Sequence, residues 1–179
     1  MEYLTHIPKE NAAGATKSKY EGLSYTHPVK YYDFHIYYVH HNEESRTESD
    51  NLRQRLLDDF AIEGKEGAII VKKLPNDKVI GPHITHFWEV DVVRPEVFIK
   101  LLSWFQLYHG NLSVLIHPNT GEPLLDHTDR ALWLGPRLPV LPQVFTPGAT
   151  GIPEYGVRRG KTLTPDTFDQ HESSYHEDS

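Results

Sequence analysis

The sequence predicts an α+β domain built on an antiparallel four-stranded sheet, and three observations carry that prediction. Apolar residues switch between strand-like and helix-like periods along the chain. The segments follow the order strand, helix, strand, strand, helix, strand. Proline, glycine and short polar clusters mark their borders. That order is the ferredoxin-like split βαβ pattern, with both helices on one sheet face.

Each element has its own signature. Tyr31–Val39 (YYDFHIYYV) is dense in aromatic and β-branched residues and predicts a strand, ended by His40, His41 and Asn42. Thr47 to Glu63 predicts a helix, because Leu52, Leu56 and Phe60 fall four apart on one face. Thr47 and Asp50 have near capping-box spacing, and Gly64 stands at the C′ position. Ala68–Lys72 is short and apolar, suited to a strand, with a turn at Pro75, Asn76 and Asp77. His83–Val93 predicts the third strand, with Trp88 and Val90 on one face and His83, Phe87 and Glu89 on the other. Pro95 opens a helix with the stripe Phe98, Leu101, Leu102, Phe105 and Tyr108, stopped by Gly110. Leu112–His117 is the last main strand, and Arg130–Leu134 suits a short edge strand. The expected organisation is an N-terminal arm over residues 1–30, a domain over 31–140, and an extension with an acidic tail over 141–179. The arms are expected to cover the exposed sheet face, with dimerisation through that face as the alternative.

Composition excludes several classes. No cysteine occurs in the 179 residues, so disulfide frameworks, cysteine-type zinc fingers, iron–sulfur clusters and thiol nucleophiles are ruled out. The net charge of -7 argues against a nucleic-acid binder. No apolar run is long enough to span a bilayer, and Met1–Lys9 lacks the apolar core of a secretory signal. The expected location is therefore cytoplasmic.

The 12 histidines are the unusual feature. In the first strand, His35 and Tyr37 alternate with Phe34, Ile36 and Tyr38, so they face away from the helices if the apolar set faces them. The same logic puts His117 on that open side. First and last strands are neighbours in this topology, which brings His35 and His117 near each other. His83 begins the strand on the other flank. Glu89 shares its parity but lies about two nanometres along the strand, and is set aside as a co-ligand of His83. His127, in a loop after the last strand, can complete a metal shell or act as a general acid–base beside it. Asp126 can orient a histidine from behind. Imidazoles suit iron, zinc, copper or nickel. Taken singly, each strand histidine is more often a core or surface residue than a ligand. No HExxH motif or histidine pair on one helical turn sharpens the pattern. His40 and His41 are assigned to solvent, His86 to packing under a helix, and His109 to a helix terminus.

The segments FHIYY (Phe34–Tyr38), GPH (Gly81–His83) and VLIHPNTG (Val114–Gly121), continuing to DHTDRALWLG (Asp126–Gly135), resemble the DOPA 4,5-dioxygenase family. The resemblance runs from about Tyr31 to Val140. One departure is visible: Ile84 follows Gly-Pro-His where many members carry proline. The resemblance implies a ferredoxin-like fold, often dimeric, and extradiol cleavage of a catechol such as DOPA by molecular oxygen. It implies a non-haem ferrous ion, with zinc as the alternative metal. The family histidines map onto His35, His83, His117 and His127, all four as candidate metal ligands. His35, His83 and His117 are the first choice as ligands and His127 the acid–base or fourth ligand, with His83 and His127 the candidates for proton transfer. Tyr37 is expected to line the substrate pocket, and Arg130 to meet a substrate carboxylate. A non-catalytic metal- or ligand-binding sensor of the same fold is the rival reading.

Overall fold

The computed structural model describes residues 18–73 and 79–145, together with the backbone of 157–158 and 161–162. Its centre is an antiparallel sheet of five strands in the order β2-β3-β1-β4-β5. The strands are β1 (Tyr31–Tyr38), β2 (Ile69–Lys73), β3 (His86–Val92), β4 (Ser113–Asn119) and β5 (Leu132–Leu134). The four main strands of the expected sheet are joined at the edge by a fifth, within the stretch Arg130–Leu134 that suits one. The fifth strand pairs Leu132, Trp133 and Leu134 with Ile116, Leu115 and Val114 of β4, so the β4 edge is covered. A separate two-stranded ladder joins β6 (Val157–Arg158) and β7 (Lys161–Thr162).

Two long helices, α1 (Glu43–Asp59) and α3 (Pro95–Tyr108), pack on one sheet face. Phe34, Ile36, Trp88, Val90, Val114 and Ile116 meet Leu52, Leu56, Leu101 and Phe105 there. All six sheet residues are at most 1% exposed. Period-two alternation in the strands and fourfold spacing in the helices produce this layer directly.

The element borders correct several expectations. Helix α1 starts at Glu43 rather than Thr47, because the Asn42 side chain accepts from the Ser45 backbone N–H at 2.9 Å. Glu43 and Glu44 then sit in the first turn, where the helix dipole favours acids. The helix breaks at Phe60 (φ −115°, ψ 26°) and resumes as α2 (Ala61–Lys65). Gly64 therefore lies within α2, and the left-handed position before β2 belongs to Gly67 (φ 65°). His86 stacks on His40 at 4.4 Å.

The described end of the expected arm lies on the helix side, not on the open face. Tyr25 packs against Tyr32 and Phe98 and donates its hydroxyl to the Val92 carbonyl at 3.1 Å. The turn expected at Pro75–Asp77 and the tail from Asp166 lie outside the described residues.

Candidate metal centre

The sheet face away from the helices carries the buried polar side chains of the strands, Asp33, His35, Lys72, Glu89, Asp91, Ser113 and His117. Strand β1 presents Asp33, His35 and Tyr37 there. The register sets Glu89 of β3 directly opposite His35, and Lys72 of β2 opposite Glu89. On the other flank, His117 of β4 stands opposite Asp33. His35 and His117, on neighbouring strands but offset along them, meet with their Nε2 atoms 2.9 Å apart.

His127 reaches the same point from the end of α4 (Pro123–His127), a single helical turn opened by Pro123. Asp126 anchors that turn. Its Oδ2 accepts from the Thr120 backbone N–H at 2.9 Å, and its Oδ1 accepts from the Thr120 hydroxyl at 2.7 Å and from Arg130 at 2.9 Å. The His127 ring stands 4.0 Å from His117 and 5.8 Å from His35, and Phe145 packs on it at 5.3 Å.

His83 arrives by a different route from the one its strand parity suggested. Strand β3 begins at His86, and His83 belongs to the preceding turn, its N–H donating to the Ile80 carbonyl. That turn is tied down by the Leu141 N–H donating to the Pro82 carbonyl at 2.8 Å. It lays the His83 ring 4.2 Å from Phe87, 4.6 Å from His35 and 5.6 Å from His127. The Tyr37 hydroxyl is 2.7 Å from His83 Nδ1, and the Tyr37 ring stacks on Trp133.

Burial dominates the electrostatics. It holds the protonation of His35 and His127 far below the ordinary imidazole range, and neighbouring imidazoles add to the effect. Burial, then His117, lowers His83 to about 3. Burial, then Glu89, raises the Tyr37 phenol. These three rings and the phenol are neutral near pH 7.

The tautomers follow from the partners. His117 Nδ1 faces the Pro118 carbonyl at 2.9 Å, and His127 Nδ1 faces the Pro123 carbonyl at 2.8 Å. A carbonyl only accepts, so each Nδ1 carries a proton, and the neutral His127 ring keeps its lone pair on Nε2. His35 Nδ1 lies 3.3 Å from Glu89 Oε2, and a carboxylate beside Nδ1 favours a proton there, the same tautomer. With His117 neutral as well, two Nε2 lone pairs would oppose each other across 2.9 Å. A cation between them removes that repulsion, and nitrogen lone pairs are what a transition metal takes. His35, His117 and His127 each offer one ligand atom, all within 4.8 Å of one another. The donor set fits a metal ion.

The structure therefore gathers His35, His83, His117 and His127 around one place. Three of them converge through ligand atoms, and His83 stands beside them on Tyr37. The order expected of His83 and His127 is reversed: His127 offers a ligand atom to the converging group and His83 does not. Asp126 does not orient an imidazole directly; its oxygens serve Thr120 and Arg130, and it acts by fixing the turn that carries His127. Arg130 spends Nη1 on Asp126 and Thr120. The sequence reading missed Glu89, Lys72 and Asp91, because their value depends on cross-strand register. Parity puts Glu89 on the correct face, and its partner there is His35 rather than His83.

Fold and site together define an α+β protein with a buried polyhistidine centre on the sheet face opposite its helices. The chain belongs to the Dopa 4,5-dioxygenase family, whose model matches residues 32–144. It is 32% identical over 114 residues to a DOPA 4,5-dioxygenase of Amanita muscaria, covering 63% of this chain and 48% of that protein. It is 34% identical over 116 residues to an uncharacterised 21.2 kDa protein of Botryotinia fuckeliana, covering 61% of this chain and 60% of that one. The chain thus spans about half to three fifths of the length of these curated relatives. A Nostoc punctiforme crystal structure, described as "a putative dioxygenase", superposes with a TM-score of 0.52 at 28% identity, covering 63% of this chain and 88% of that one. Among the described residues no helix is long and apolar enough to cross a membrane.

Proposed function

We propose that the protein opens the ring of a catechol such as DOPA with molecular oxygen, as an extradiol dioxygenase with a ferrous ion held by His35, His117 and His127. The observation that carries this reading is the convergence of three imidazole ligand atoms within 4.8 Å, in a chain of the Dopa 4,5-dioxygenase family. A ferrous ion there would supply Lewis acidity toward both catechol oxygens and a place for dioxygen to bind.

The chain's own residues do the rest. His35 and His127 are held neutral, so neither has to lose a proton before binding a cation. His83 has the proton work. With its own proton on Nδ1 and donated to the Tyr37 oxygen, the ring keeps the Nε2 lone pair to take a hydroxyl proton from the substrate. The Tyr37 oxygen then accepts from the Nδ1–H of the charged ring and steadies it, and His83 later returns the proton to the opening ring. Phe87 and Phe145 wall His83 and His127 against water. Arg130, with its side chain 38% exposed, is assigned to a substrate carboxylate through the N–H groups that Asp126 and Thr120 do not take.

The test is anaerobic loading with ferrous ion, then oxygen uptake across a panel of catechols that includes DOPA. Stoichiometric uptake with a yellow ring-opened product is expected from at least one member. Full metal loading without uptake on any catechol would overturn the reading.

A further inference from the structure

On the open sheet face, Lys72, Glu89 and His35 are successive cross-strand neighbours on β2, β3 and β1. Glu89 spans the other two with its separate oxygens: Oε1 lies 3.2 Å from Lys72 Nζ and Oε2 lies 3.3 Å from His35 Nδ1. Lys72 Nζ also meets Asp91 Oδ2 at 2.7 Å. All four side chains are buried. Desolvating such ions costs several kcal/mol each, and an apolar set of the same volume often serves stability as well or better. Stability alone is therefore a weak reason for this row.

The three converging histidines differ in what holds Nδ1. His117 and His127 lie near the ends of β4 and α4, where main-chain carbonyls accept from them. His35 sits in the middle of β1, which is paired on both sides by β3 and β4. The carbonyls around it are committed to the ladders. Among the described residues its Nδ1 makes no hydrogen bond of good geometry, and Glu89 is the group that faces it.

We propose that Glu89 is a positioning residue for His35. Clamped by Lys72, its carboxylate holds the proton on His35 Nδ1, directs the Nε2 lone pair into the three-histidine centre, and strengthens it as a donor. Glu89 does for His35 what two backbone carbonyls do for His117 and His127. The inference rests on the reading that the centre binds a metal, and it adds the group that tunes the binding.

The test uses Co(II) as a spectroscopic probe on the full chain, with affinity from chelator competition. Glu89→Gln keeps the side-chain volume and leaves Lys72 its Asp91 partner. Its metal-free circular dichroism spectrum is expected to match wild type. Its Co(II) Kd should rise about 10–100-fold, as for other groups behind a metal-binding histidine, and the visible Co(II) band should shift. Glu89→Asp should recover part of the affinity and of the band position, which a merely space-filling role would not produce. Should Glu89→Gln fail to fold, Lys72→Gln tests the same clamp with the carboxylate in place, and an intermediate loss is expected. Wild-type Co(II) uptake with Kd and band unchanged in the folded variants overturns the inference alone. A wild-type protein that takes up no Co(II) overturns the metal reading and the inference together.

Discussion

The two faces of the central sheet are made from the same strands and obey opposite rules. Toward the helices, Phe34, Ile36, Trp88, Val90, Val114 and Ile116 form an apolar layer at most 1% exposed. One residue along each strand, the other face holds Asp33, His35, Glu89, Asp91 and His117, also buried. The first face lowers the free energy of folding by removing apolar surface from water. The second raises it by desolvating charged and polar groups, a cost that is justified only by what those groups do. A strand thus divides its stability and its chemistry by parity.

Substitutions on either face test that division. The largest effect is expected on the polar side: His117→Ala should lose stoichiometric metal and reduce oxygen-dependent turnover at least about 100-fold, beyond the range for groups that only support a ligand. Its thermal stability without metal should hold or rise. Metal analysis and oxygen uptake check this, and full metal content in the variant would merge the two faces into one structural role. On the helix side, Phe34→Ala should cost about 3–5 kcal/mol in urea unfolding, while the fraction that folds still binds metal.

The polar face should also make stability depend on pH. In the metal-free protein His83 titrates at about 3, against an ordinary value near 6.5. Between those values the unfolded chain binds the extra proton. Stability is then fully present above about 6.5 and lost as pH falls toward 3. His35 and His127 act in the same direction. Tm of chelator-treated protein should fall through this window. A flat profile would mean that these rings are hydrated in solution.

Smaller effects sharpen the contrast. Tyr37→Phe keeps the stack on Trp133 and removes the hydroxyl bonded to His83. It should cost about 1 kcal/mol of stability and lower kcat about 100-fold, with metal affinity unchanged. Loss of metal instead would place Tyr37 among the groups that build the centre. Asn42→Ala, which removes the α1 cap on the helix side, should cost about 1 kcal/mol and leave turnover alone.

Much of the helix-side face was legible from local pattern. Leu52, Leu56, Leu101 and Phe105 announce themselves by spacing, and Phe34, Ile36, Trp88 and Val90 by alternation. The errors there were at borders, where Asn42 outcompeted Thr47 as a cap and Phe60 broke a helix that had looked continuous. The polar face was legible in part. Alternation places His35 and His117 on one side, chain position offers His83 and His127 beside them, and the family motifs group the four. Glu89 was passed over because its role depends on standing opposite His35, a fact of register. His83 was assigned to a strand, and a turn brought it to the centre instead.

The sequence by itself determined which residues share a face, because side-chain direction in a strand or helix is set by backbone geometry within a few residues. It also determined that any metal must be held without thiolates, since no cysteine exists to supply one. The tertiary structure alone decided which histidines meet, which tautomer each one holds, and that Glu89 lies behind His35. Those facts depend on how strands far apart in the chain slide into register and how the turns at His83 and His127 fold back. The energies that settle them come from packing across the whole domain.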